Sequence, residues 1–223
     1  MNSGNADVVP LVASEKNVEA CVVSSDFDTR HNWVMSVTWD LPFARDASPA
    51  IAAIASGWRF SGIWTMRSGQ PLTVFVNANR SRSQWNPSRG PGIGQDRPSY
   101  APGFGPDNAI NGTPERWFNP AAFVLQPAGT FGNSGRGDLT GPNLRTLDLS
   151  LSKSVRLSSL GSSGRLEFRL EGFNVLNRTN FGIPELRAFA GQADGEAPLA
   201  TFGRISSTVT SSRQIQLGVR VTF

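Results

Sequence analysis

The chain has few of the residues that carry most site chemistry. Among its 223 residues stand one cysteine, Cys21, one histidine, His31, and two lysines, Lys16 and Lys153. A single cysteine permits no internal disulfide, and one cysteine with one histidine supplies no zinc set. No apolar run approaches the roughly 18 to 20 residues that a spanning helix needs, which excludes a helical membrane protein and leaves strands open. The 21 basic residues, nearly all arginine, face 17 acids for a formal charge of +4. They are scattered and form no cluster that would track phosphates, so no nucleic-acid partner is expected.

No cofactor is implied either. Gly92-Ile93-Gly94 lacks the strand before and the helix after that a phosphate-cradling loop requires. No nucleophile with its base, carboxylate pair or metal cluster converges, and Glu167 and Glu171 beside Arg165 and Arg169 read as charges neutralising one another. No enzyme is expected. The first residues carry no charged stretch followed by an apolar one, which leaves a cytoplasmic protein or the later part of a longer exported one. Residues 1–29 have no sustained period and are expected to be a loop or frayed lead-in.

What the chain does have is strict alternation. In RQIQLGVRVTF, the last stretch, Ile215, Leu217, Val219, Val221 and Phe223 alternate with polar or small residues, the mark of a strand with one apolar face. Upstream, Trp33, Met35, Val37, Trp39, Leu41 and Phe43 alternate likewise, and after a connector over 44–56, whose PAIAAIAS could form a helical turn or two, Trp58, Phe60, Trp64 and Met66 share a face opposite Arg59, Ser61, Thr65 and Arg67. Four tryptophans thus fall on one face of one hairpin, as in a lipid-facing aromatic girdle or a tryptophan-rich core beneath a soluble sheet. Ser68-Gly69-Gln70-Pro71 is expected to interrupt the second strand.

From Leu144 the alternation returns. Leu147, Leu149, Leu151, Val155 and Leu157 face one way and Asp148, Ser150, Ser152, Ser154 and Arg156 the other, with Lys153 the one intruder on the apolar side. A Ser/Gly turn leads to Leu166, Phe168 and Leu170 opposite Arg165, Glu167, Arg169 and Glu171. The expected register sets Arg156 opposite Glu167 and Leu157 opposite Leu166. Between these strands lie two long connections, 77–142, which holds most of the prolines, and 177–212, where Asn174, Asn177 and Asn180 suit turns at a strand end.

Six segments in order carry a family resemblance: WDLPF with GWRFSGIWTMRSGQPLTV, WFNPAAF, GTFGNSGRGDLTGPNLRTLDLSLSK, RLEFRLEGFNVLNRTNFG, FGRISS and RQIQLGVRVTF. From about residue 26 onward the chain resembles the C-terminal end of Oar-like TonB-dependent outer-membrane receptors. The resemblance implies the last five strands of a large closed barrel, with extracellular loops at 77–142 and 177–212 and periplasmic turns at 44–56 and 158–163. It implies partners too: outer-membrane lipid of the Gram-negative type, the barrel assembly machinery, an unknown large solute, and TonB through a plug that this sequence does not contain. The terminal strand is similar to the one such barrels offer for assembly, with Gln216, Gly218, Val221 and Phe223 as the signal and Val221 in place of the usual aromatic.

The expected fold is therefore all-β, an open curved antiparallel sheet of about five long strands covering residues 30–223, the C-terminal part of a transmembrane barrel. Trp33, Trp39, Trp58, Trp64 and Phe168 would face lipid. Arg59, Arg67, Asp148, Arg156, Arg165, Glu167, Arg169 and Glu171 would face the lumen. Five strands cannot close a barrel, so the chain is expected to act within a longer one. The competing class is a secreted or surface β-sandwich, an adhesin or carbohydrate-binding module, whose strands show the same alternation.

Overall fold

Each stretch of alternation forms a strand in the computed structural model, which describes residues 28–43, 48–83, 95–161 and 163–223. Five strands make one open antiparallel sheet in the order β1 (Asn32–Asp40), β2 (Trp58–Arg67), β8 (Leu144–Arg156), β9 (Arg165–Phe173) and β11 (Gln214–Thr222). Nearest neighbours in sequence are nearest neighbours in the sheet, a meander. Among the described residues no helix is long and apolar enough to cross a membrane. Most of the lead-in expected over 1–29, Cys21 and Gly92-Ile93-Gly94 lie outside the described residues.

The short connections 41–57 and 157–164 fall at one end of the sheet, and the long connections 68–143 and 174–213 at the other. At the short-turn end, the expected helical turn is α1 (Pro49–Ala55), with proline in its first turn, where a missing N–H costs nothing. At the long-loop end β2 stops at Arg67, ahead of Gly69. A Cβ there would stand 1.8 Å from the carbonyl oxygen of Gly141, so only glycine lets the two backbones cross.

One register expectation is corrected. Arg156 pairs with Arg165, not with Glu167, and Glu167 pairs with Ser154. The turn decides this: its short 3-10 segment (Ser158–Leu160) and the bond from the Leu157 N–H to the Gly164 carbonyl (2.9 Å) close the hairpin with Leu157 opposite Gly164. Both registers keep the apolar rows aligned, so periodicity alone could not choose between them.

The hydrophobic core lies outside the large sheet. Short strands β3 (Pro71–Leu72), β4 (Phe75–Val76), β5 (Ser99–Tyr100), β6 (Phe123–Val124), β7 (Leu139–Thr140) and β10 (Arg187–Phe189) pair as β3 with β7, β5 with β6, and β4 with β10 in parallel. Around them Val74, Val76, Phe118, Phe123, Phe189 and Phe202 are buried. Phe202 stacks on Phe118 (centroids 5.3 Å apart, planes at 20°) and meets Phe123 edge-on at 5.3 Å. The two long connections thus share one core and form a cap over one end of the sheet.

Candidate functional site

Residues paired across antiparallel strands lie on one face, so the register sorts every side chain of the sheet. Trp33 pairs with Met66, Met35 with Trp64, Trp39 with Phe60, and Trp58 with Lys153, which in turn pairs with Phe168. The five aromatics singled out in the sequence therefore share one face. Leu147, Leu149, Leu151, Leu166 and Leu170 join them, with Ile215, Leu217, Val219 and Val221 on the last strand. Trp33 and Trp64 meet edge-on, 5.3 Å apart. Among the described residues no second sheet covers this face, and Trp39, Phe168 and Leu217 are exposed. A sandwich would bury such a face beneath a second sheet, and the open apolar row fits a wall that faces lipid instead.

The other face carries the charges. Arg59 grips Asp40 with two bonds, Nε to Oδ1 at 2.6 Å and Nη2 to Oδ2 at 3.3 Å. Arg169 donates to Glu167 (2.8 Å) and lies 3.7 Å from Glu171. Asp148 accepts the backbone N–H of Asn174 at 2.7 Å, tying the strand to the start of the second long connection. Arg67 ends the row opposite Asn32, and Arg156 and Arg165 end it at the short turns. In the terminal strand, Gln216 and Gly218 lie on this charged face, opposite Glu171 and Arg169, whereas Val221 lies on the apolar one and Phe223 extends beyond the pairing, 90% exposed.

Two clefts lie at opposite ends of the sheet. A cleft of about 420 Å³ at the short-turn end is lined by Asp40, Arg59, Arg156, Arg165 and Glu167. At the long-loop end, between the lead into β1 and the cap, another of about 430 Å³ is lined by Asp28, Arg30, His31, Arg136 and Asp138. Asp138 accepts the Tyr100 hydroxyl at 2.8 Å and the Gly135 N–H at 2.8 Å. Burial raises the Asp138 carboxyl above its usual range against those two bonds, and burial with the Asp138 bond raises the Tyr100 phenol.

Several positioning residues left no periodic signal. Arg80, 9% exposed, donates to the carbonyls of Gln126 (3.2 Å) and Gly191 (3.3 Å) and pairs with Asp194, joining the two long connections. Asp96 holds the Ser81 N–H and hydroxyl, each at 2.6 Å. Glu196 accepts the N–H groups of Gly191, Gln192 and Ala193 at 2.5, 3.1 and 3.3 Å. Burial works to raise its carboxyl, and those backbone donors outweigh it and hold the group below its usual range. The asparagines, by contrast, were legible. Asn174 and Asn177 adopt left-handed backbone (φ 47° and 49°), and Asn180, fully buried, bridges the Arg145 backbone and the Thr210 hydroxyl.

An antiparallel meander with one exposed apolar face rimmed by tryptophan, one charged face, and connections alternately short and long defines a segment of a transmembrane β-barrel wall. The family follows from the comparison of sequences: the outer membrane beta barrel domain matches residues 2–216, and the chain belongs to that family, whose place is the outer membrane. No curated protein and no solved structure matches the chain.

Proposed function

We propose that this chain supplies the last five strands of a TonB-dependent receptor of the Oar-like type, in a Gram-negative outer membrane, and takes part in binding or uptake of a large solute. The apolar face meets lipid and the charged face lines the lumen. The long connections face outward from the cell, as such barrels place them, and the short turns face the periplasm. What carries the reading is the co-folded cap beside a charged cleft, since a passive barrel wall needs no such structure at its loop end. Asp28, Arg30, Arg136 and Asp138 would contact the solute. TonB would act through a plug supplied elsewhere in the assembled receptor, and the barrel assembly machinery would insert the strands.

Energy-dependent uptake tests it. Cells carrying the intact receptor are offered labelled peptides, glycans and metal chelates, with and without a protonophore. Uptake of one class that collapses with the protonophore and falls in an Arg30→Ala, Asp138→Asn variant supports the reading. Uptake of no class, or uptake indifferent to the protonophore, sinks the TonB-dependent role.

A further inference from the structure

Lys153 lies in the apolar row of β8, between Leu151 and Val155 and opposite Trp58 and Phe168. A lysine on a lipid-facing strand would ordinarily stretch its amine toward water. This one is 8% exposed, although Phe168 beside it is 47% exposed. The end of α1 covers it. The Lys153 amine donates to the Ile54 carbonyl (2.8 Å) and to the Ser56 carbonyl, and sits 5.5 Å from the centre of the Trp58 ring. Trp58 adds a bond from its indole N–H to the same Ile54 carbonyl (3.1 Å). The carbonyl end of a helix carries partial negative charge and unmet acceptors, so a lysine and an indole from the neighbouring strands complete it.

We propose that α1 is a membrane foot, held against the outer face by Lys153, that sets Ile51 and Ile54 into the headgroup–acyl boundary of the phospholipid leaflet at the short-turn end. Seven residues make too short a helix to persist alone in water. Clamping its carbonyl end to the apolar face leaves Ile51 and Ile54, three residues apart and so on one side of the helix, 58% and 76% exposed. The bonds that Trp58 and Lys153 give the Ile54 carbonyl keep this segment beside the apolar face of the wall. PAIAAIA contains no charge, so its contact with lipid is apolar and independent of anionic headgroups. The foot rests on the reading of that face as the lipid face, and the test separates the two.

In a Cys21→Ser background, an environment-sensitive fluorophore is attached at Ile54→Cys or, as a mid-strand control, at Leu149→Cys. The full chain is placed in phosphatidylethanolamine and phosphatidylglycerol vesicles containing phosphatidylcholine brominated either near the headgroup or near the chain end. The label at 54 is expected to be quenched by the shallow bromines and hardly by the deep ones, and equally so when phosphatidylglycerol is omitted. Lys153→Met should abolish quenching at 54 and leave it intact at 149. A label at 54 that stays in water while 149 is quenched overturns the foot alone, and so does quenching at 54 that survives Lys153→Met. Absence of quenching at both positions overturns the lipid-face reading and the foot with it.

Discussion

Arg156 and Arg165 stand directly opposite each other at the end of the β8–β9 hairpin, two cations on one face of one rung. Like charges in that position repel, and Glu167, diagonal to Arg156, offsets them only in part. Arg156→Glu is therefore expected to stabilise the sheet by about 0.5 kcal/mol. Urea titration in detergent micelles measures it, and the gain should vanish in the Arg156→Glu, Arg165→Glu double variant.

The two faces of β8 should respond to charge very differently. Leu149 lies mid-strand on the apolar face, opposite Gly62 and Gly172, and Ser150 lies on the charged face opposite Ser61 and Glu171. Leu149→Arg is expected to cost roughly 2 to 4 kcal/mol in a bilayer, and Ser150→Arg far less. Equal losses in a lipid folding assay would count against a membrane-facing apolar row.

Why the faces were legible and the cap was not has a physical reason. A strand repeats every two residues, so Trp33 with Trp39 and Trp58 with Trp64 announce a shared face within each strand, and setting apolar row against apolar row joins the two. The cap core gathers Val76, Phe118, Phe189 and Phe202 from two connections broken by glycine and proline, and no local period links them. Lys153 was visible as an exception to its row, but its partners Ile54 and Ser56 lie across a turn that carries no charge pattern. The hairpin register escaped because it depends on how the Ser/Gly turn closes, not on which residues are apolar.

Truncating the cap core should separate the cap from the wall. Phe118 is fully buried against Phe202 and Phe123, so Phe118→Ala is expected to cost about 3 to 5 kcal/mol of cap stability. Protease cleavage within 95–143 should rise sharply, while the heat-modifiable migration of the barrel persists.

Acid should loosen one part of the cap and favour another. Glu196 is held below its usual range, so its contribution is present above the unfolded value and is lost as pH falls through the lower folded one. Asp138 is raised, so its contribution is full below the unfolded value and is lost as pH rises through the folded one. Amide protection at Gly191, Gln192 and Ala193, corrected for intrinsic exchange, should drop on acidification in the native chain and lose that dependence in Glu196→Gln. Protection at Gly135 should not follow the same course.

Removing Phe223 is expected to lower the amount of assembled barrel in outer membranes without changing expression, since this exposed aromatic follows directly on Thr222, the last paired residue of β11. Semi-native gels and whole-cell blots read the two quantities separately. Unchanged assembly would show that Phe223 plays no part in it.

The parallel pairing of β4 with β10 imposes an order of events. Phe75 and Arg187 meet although nearly the whole of the first connection, two strands of the sheet and the start of the second connection lie between them. Closing so long a span from an open chain is slow, because the entropy of closure is lost before any contact is gained. The β8–β9 hairpin forms from local contacts and carries the ends of the two connections to adjacent points. The wall therefore shapes first and the cap condenses on it afterwards, so refolding should show two kinetic phases, with burial of Phe118 and Phe202 confined to the slower one.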